Sequence, residues 1–304
     1  LAAEQPQSGP GFTAALQTPG DGSLATELPA LPFSLVWLAG SCGTDIEQFL
    51  QPRGVALNRY NEVVYVADQG NRRMVLRDLS NGALVDYYTD ETFEEPFDVD
   101  VNLLGDVFLL DAASQTIYGF EEPQGTAIPQ ASATSFYRPR GMGMDLNGNF
   151  YVADTGGARV VKLNGGDGAV ELQVGGPDSA LGQGQPVDVM SLPTGALYAV
   201  TAQDGTLWRL DTGESWPAVA PANTFDGPHL AALTTSNFFV SDPERRLILY
   251  YDQAGQPLGQ LSSELFSKPV GVSALILDGD VLLAVSDSAS CQVSLWSLPV
   301  DGLP

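Results

Sequence analysis

The hydrophobic residues come in short bursts rich in Val, Leu, Tyr and Phe, separated by polar stretches of Gly, Asp and Asn. Runs such as Val64 to Ala67, Met74 to Leu76 and Phe150 to Ala153 are too short for helices and end in turn residues. That punctuation predicts short, buried strands. In the first region the strands are expected at 53–58, 63–67, 73–77 and 84–88, with turns at Asn58 to Asn61 and at Asn81 and Gly82. The fold class is therefore all-β.

The pattern recurs. A first unit runs from Phe49 through Pro52, Arg53 and Gly54 to Tyr65–Asp68, Asn71 and Arg72. Another repeats it from Phe136 through Pro139, Arg140 and Gly141 to Tyr151–Asp154 and Arg159. The unit prolines are Pro52, Pro96, Pro139, Pro186, Pro228 and Pro269, at intervals of 44, 43, 47, 42 and 41 residues. The end of the second strand keeps step at Asp68, Asp111, Asp154, Thr201, Asp242 and Asp287. Units of this size cannot bury both faces of a sheet alone, so they must stack. A ring of four-stranded sheets around a central channel satisfies all of them. The expected architecture is a six-bladed β-propeller.

Only three strands of the sixth unit follow Phe266. The segment Phe33 to Leu38 stands where the outer strand of a preceding blade belongs, and is expected to complete the last blade and close the ring. The domain reading is thus an extended Pro/Gly-rich arm over residues 1–32 and a propeller over 33–304.

These motifs resemble the NHL repeat, most closely in units one and three. Elsewhere the frame is kept but letters change, as with Asp98 and Asp188 where the family prefers Gly. NHL-type propellers include a lyase that holds zinc with several histidines. This chain has a single histidine, His229, and a catalytic zinc site needs about three protein ligands. Six-bladed relatives of the lactonase type hold calcium in the channel with carboxylate and amide oxygens. Asp98, Asp188 and Asp100 are the residues that could contribute here, without the full acidic and amide set, so no cofactor is assigned and channel calcium stands as the alternative.

Charge narrows the partners. With 37 acidic and 13 basic residues the formal net charge is −24. Phosphate-neutralising stripes are missing, so nucleic acid is disfavoured. No run of 18 apolar residues exists to span a membrane. The small-residue opening Leu1 to Glu4, without an initiating Met, fits a chain whose targeting segment has been removed. The expected location is extracellular, cell-surface or periplasmic.

The residues after the unit prolines are expected to rim the channel mouth on the face that carries the connections between blades. They include Arg53, Asp98, Arg140, Asp188 and His229, the candidate ligand-binding set, with Arg53 and Arg140 expected within reach of Asp98 or Asp188. No nucleophile and base pair is visible by motif, so no catalytic residue is assigned. The repeated Asp68, Asp111, Asp154, Asp242 and Asp287 read as caps that accept backbone N–H bonds. The functional expectation is a non-catalytic interaction or scaffold domain meeting a protein partner through the arm and irregular loops such as 125–135 and 175–185. The alternative is a channel-mouth small-ligand binder, or a metal-dependent hydrolase or lyase.

One expectation concerns the ring seam. If residues 33–39 lie antiparallel to the strand that begins near Cys291, pairing Val36 with Ser297 sets Cys42 opposite Cys291. A disulfide between them would place the protein in an oxidising compartment.

Overall fold

The structure, a computed structural model, describes residues 28–121, 126–132, 136–222 and 227–304. Six four-stranded antiparallel sheets make the six blades. Their innermost strands are Pro52–Asn58, Pro96–Val101, Gly141–Met144, Pro186–Ser191, Leu230–Ala232 and Pro269–Leu277. Each inner strand touches the next, and the sixth touches the first, so the ring is closed.

The packing explains why the strands are hydrophobic throughout rather than at alternate positions. Side chains on a strand alternate between its two faces, and here both faces are covered. Val64 and Val66 point into the cluster shared with blade six, whereas Tyr65 and Ala67 point into the cluster shared with blade two. Six such clusters fill the six interfaces between blades. Outer strands such as Leu84–Tyr88 are mostly exposed, since only water lies beyond them.

The repeated aspartates act as expected. Asp68 accepts from Leu50 N, Asp154 from Tyr137 N and Asp242 from Ala220 N. Asp111 accepts from Glu94, Glu95, Ala113 and Ser114, and Asp287 from Ser267, Lys268, Ala289 and Ser290. Each carboxylate pins the connection entering its blade to the end of its own second strand. In blade four Thr201 stands at this position and its hydroxyl bonds Asp204 instead.

The sixth blade is completed by Ser34–Ala39, paired with Gln292–Pro299. The register differs from expectation. Ser34 faces Ser297, a bulge lies between Leu35 and Trp37, and Trp37 faces Leu295. The bulge lets Trp37 turn inward, where its Nε1 donates to Leu79 O of blade one. The chain then leaves the strand at Gly40 (φ 95°) and brings Cys42 to Cys291, with Cα atoms 4.9 Å apart in a disulfide. The predicted bridge is present, although the register offered for it is not.

Two boundaries shift as well. Residues 1–27 of the arm lie outside the described residues, but 28–32 belong to the propeller: Leu31 N donates to Gln260 O, Gln260 N to Pro29 O, and Leu31 is buried. Of the loops expected to be irregular, 125–135 contains the strand Thr126–Ser132, paired with Thr116–Glu121. Its Pro129 is tolerated because an outermost strand has one edge free of ladder bonds. The 175–185 loop holds a short helix, Ala180–Gly184, capped by the Ser179 hydroxyl and anchored by buried Leu181.

Candidate functional site

The residue two places after each unit proline decides the geometry of the channel end. These positions read Gly54, Asp98, Gly141, Asp188, Leu230 and Gly271 around the ring. Asp98 accepts from Val99 N in its own strand (2.9 Å) and from Met142 N in the next blade (2.9 Å). Asp188 does the same with Val189 N (2.8 Å) and Leu230 N (2.7 Å). The inner edge of a propeller strand has no strand to pair with, and its amides need other acceptors. The two aspartates supply them while tying blade two to three and blade four to five.

Below this stitching the side chains crowd together. His229 Nδ1 lies 3.5 Å from Asp188 and 3.9 Å from Asp98. All three residues are buried and turn ligand atoms towards one another. Burial pushes the Asp98 carboxyl up to about 8, against two backbone N–H bonds that favour the charged form. Asp188 is also raised well above the ordinary carboxylate range, by burial and then by Asp98 beside it. Asp100, two residues along the strand, is raised to about 6 by burial. The imidazole of His229 is lowered to about 3 by burial and by the charge of Arg53, so it is neutral at pH 7.

The two arginines form a separate layer. Phe97 lies between their guanidinium groups, 5.2 Å from that of Arg53 and 4.4 Å from that of Arg140, and stacks on His229 at 6.5 Å. Arg53 Nε donates to Gln69, Gln69 Nε2 to Glu95, and Arg140 Nη1 pairs with Glu95 at 3.3 Å. The carboxylate that Arg140 meets is thus Glu95. Asp98 and Asp188 turn their carboxyls to backbone amides and towards His229.

The structure therefore brings all five candidate residues to one end of the channel but divides them into two layers. Arg53, Phe97 and Arg140 are buried where the mouth was expected, and they fill it. The cavity, about 650 Å³, runs from Asp98, Asp188 and His229 to the opposite face, between the turns that join first and second strands. Its mouth is ringed by Tyr60, Leu103, Leu104 and Leu146, exposed at 64, 65, 81 and 57%. Its wall includes Met142, Met144 and Met190, three of the four methionines in the chain. Neither the methionines nor the apolar lip were singled out from sequence. The available signal was their common place on, or just beyond, the inner strands.

No protein-family model matches the chain, and no curated protein matches it. Solved structures do. A streptogramin B lyase has a TM-score of 0.60 at 14% identity, covering 88% of each chain. A catalytically inactive virginiamycin B lyase from Staphylococcus aureus, solved with quinupristin, has a TM-score of 0.58 at 12% identity over 84% of this chain and 82% of that one. A nidogen/laminin complex gives 0.58 at 16% identity over 73% of this chain and 84% of that one. The likeness is one of fold. An enzyme and a component of a protein complex share the six-bladed propeller, so fold alone does not choose between catalysis and binding.

Proposed function

We propose that this propeller, with its NHL-like repeats, is a non-catalytic recognition module of an exported or cell-surface protein or complex. The observation that carries this is the engagement of Asp98 and Asp188, whose carboxylates hold four inner-strand amides and so act as parts of the frame. The Ser241 hydroxyl beside the neutral His229 accepts from the His229 backbone N–H and donates to Val270 O, so it too is engaged in the frame. The Cys42–Cys291 bridge supports an oxidising compartment. The strong negative charge favours a partner that is not a polyanion. No helix among the described residues is long and apolar enough to cross a membrane.

The second reading is the metal-dependent hydrolase or lyase, and the Asp98, Asp188 and His229 cluster is what favours it. The donors do not suit calcium, which takes six to eight oxygens. One nitrogen and two carboxylates already bonded to amides fit a smaller ion better. Metal analysis of the purified protein, with thermal unfolding in added calcium, magnesium, manganese and zinc, separates the two readings. A recognition module contains no stoichiometric metal and keeps its melting temperature. An ion at a hundred times its Kd would raise stability by about 2.7 kcal/mol, and that result would replace the first reading with the second.

A further inference from the structure

The channel opens between the turns that join first and second strands, and those turns are not alike around the ring. In blades one to three they present Tyr60, then Leu103 and Leu104, then Leu146, all more than half exposed. The matching turns of blades four to six carry Pro193 and Thr194, Thr234 and Thr235, and Asp278 and Gly279, and expose no large apolar side chain. Hairpin turns are ordinarily polar, and a single exposed leucine needs no explanation. Four large apolar side chains on one half of a rim are a patch of the kind that marks an interaction surface.

The patch is held in place. The Tyr60 hydroxyl donates to Leu103 O at 2.6 Å and Asn58 Nδ2 to Gly105 O at 2.9 Å, so blade one braces the leucine turn of blade two. Within that turn the Asn102 side chain accepts from Leu104 N and Asp106 N, both at 2.9 Å, and donates to the Asp106 carboxylate. Gly105 lies against the Tyr60 ring. Leu103 and Leu104 are thus presented to water by a braced turn, and a partner covering them has little backbone to order.

Charge on the same face selects the partner. Every blade adds an acid at or beside the turns there: Glu62, Asp106, Asp145, Asp211, Asp252 and Asp278. Among the described residues Arg59 is the one basic residue in those turns, whereas Arg72, Arg138, Arg245 and Arg246 stand on connections of the opposite face. Two copies of this chain would repel across such a face. Residues 1–27 contain Glu4, Asp21 and Glu27 and no basic residue. Neither a second copy nor the chain's own arm complements an apolar patch set among acids, and a basic surface does.

We propose that this face docks another protein through an apolar protrusion flanked by lysine or arginine, which covers Tyr60, Leu103, Leu104 and Leu146. The inference rests on the reading of the propeller as a recognition module, and gives that module a face and a kind of partner.

The test is titration of the intact protein, in about 0.15 M salt to screen diffuse attraction, with three synthetic peptides. One is Lys-Lys-Leu-Phe-Leu-Lys-Lys, the second has serine at the three apolar places, and the third has glutamate in place of lysine. The first should bind at least about tenfold more tightly than the serine peptide, the scale of burying one leucine. The glutamate peptide should not bind. Leu103→Ser combined with Leu104→Ser should erase the tenfold preference. Val85→Ser, at a position also more than half exposed but on the outer strand of blade one, should leave it intact. Equal binding of the first two peptides, a preference indifferent to the leucines, or no binding at millimolar concentration would each overturn the docking face. Leucine-dependent partition onto phosphatidylcholine vesicles in place of peptide binding would overturn it in favour of a membrane surface. A stoichiometric metal in the same preparation bears on the recognition reading alone, so the two fail separately.

Discussion

Gly54 and Asp98 contend for one volume: a methyl group added to Gly54 would fall on the Asp98 carboxylate and its backbone. Gly141 and Asp188 repeat the relationship two blades on. The glycines of blades one and three and the aspartates of blades two and four are thus a single device. Each aspartate reaches the next blade's amide only because the blade behind it has no side chain there. Asp at a position where the repeat prefers Gly reflects this interlock.

Gly54→Ala should therefore destabilise the fold by about 1–3 kcal/mol through overpacking. Asp98→Gly should also destabilise it, by removing two acceptors. Combined, the two should cost less than their sum, because the alanine methyl then occupies the vacated space. Urea unfolding of the two single variants and the double variant measures the coupling. Strict additivity would show that the two residues do not interlock.

The seam disulfide closes a sequence separation of 249 residues. Chain entropy alone assigns such a loop about 5 kcal/mol, and measured values are commonly lower. Replacing Cys42 and Cys291 with Ser should lower the melting temperature while leaving the far-ultraviolet spectrum unchanged, since Ser34–Ala39 keeps its pairing with Gln292–Pro299. Hydrogen exchange should quicken first in residues 34–39. Uniform quickening across all blades would show that the seam is not the weak point of the ring.

The blades were legible because each repeats the same bounded strands and the same capping aspartate. The closing strand was legible because one blade was a strand short. Its bulge was not, since the inward turn of Trp37 depends on Leu79 in another blade. At the channel, sequence placed Asp98, Asp188 and His229 together because each follows its unit proline by one or two residues. It could not tell which end of the channel was open. That depends on Phe97 filling one mouth between Arg53 and Arg140, a packing relation among three blades that no local pattern records. Likewise Pro129 reads locally as a strand breaker, and only its outermost place in the sheet makes it harmless.

Asp287 holds Ser267 N and Lys268 N at 2.7 Å each, with Ala289 N and Ser290 N at 3.1 and 2.9 Å. Asp287→Ala would leave these amides, which lie on a connection partly open to water, without their buried acceptor. A loss of about 2–5 kcal/mol is expected from so many unsatisfied donors. Exposed Asp301→Ala should change stability by no more than about 0.5 kcal/mol. Chemical denaturation of the two variants side by side makes the comparison. Similar, small effects would show that the repeated aspartate is not a cap.

Stability should fall as pH rises through the neutral range, because the channel carboxyls are raised on folding. Asp98 goes from about 3.9 in an unfolded chain to about 8, and Asp100 to about 6. A raised carboxyl stabilises the fold fully below its unfolded value, and that contribution is lost as pH climbs through the folded value. His229 runs the other way. Its value drops from about 6.5 unfolded to about 3 folded, so its contribution is present above 6.5 and lost in acid. Between pH 4 and 6.5 it offsets Asp98, and above 6.5 the carboxyls act alone. The steepest loss should fall between pH 6.5 and 8.5, approaching about 1.4 kcal/mol per pH unit for each titrating group. The net charge of −24 adds self-repulsion over the same range, so the informative quantity is the difference between wild type and Asp98→Asn. Urea midpoints at pH 6.5 and 8.5 should converge for the two proteins as pH rises, the wild type losing more. A wild type that instead gains on the variant would mean that Asp98 is ionised in the fold, held so by a bound cation.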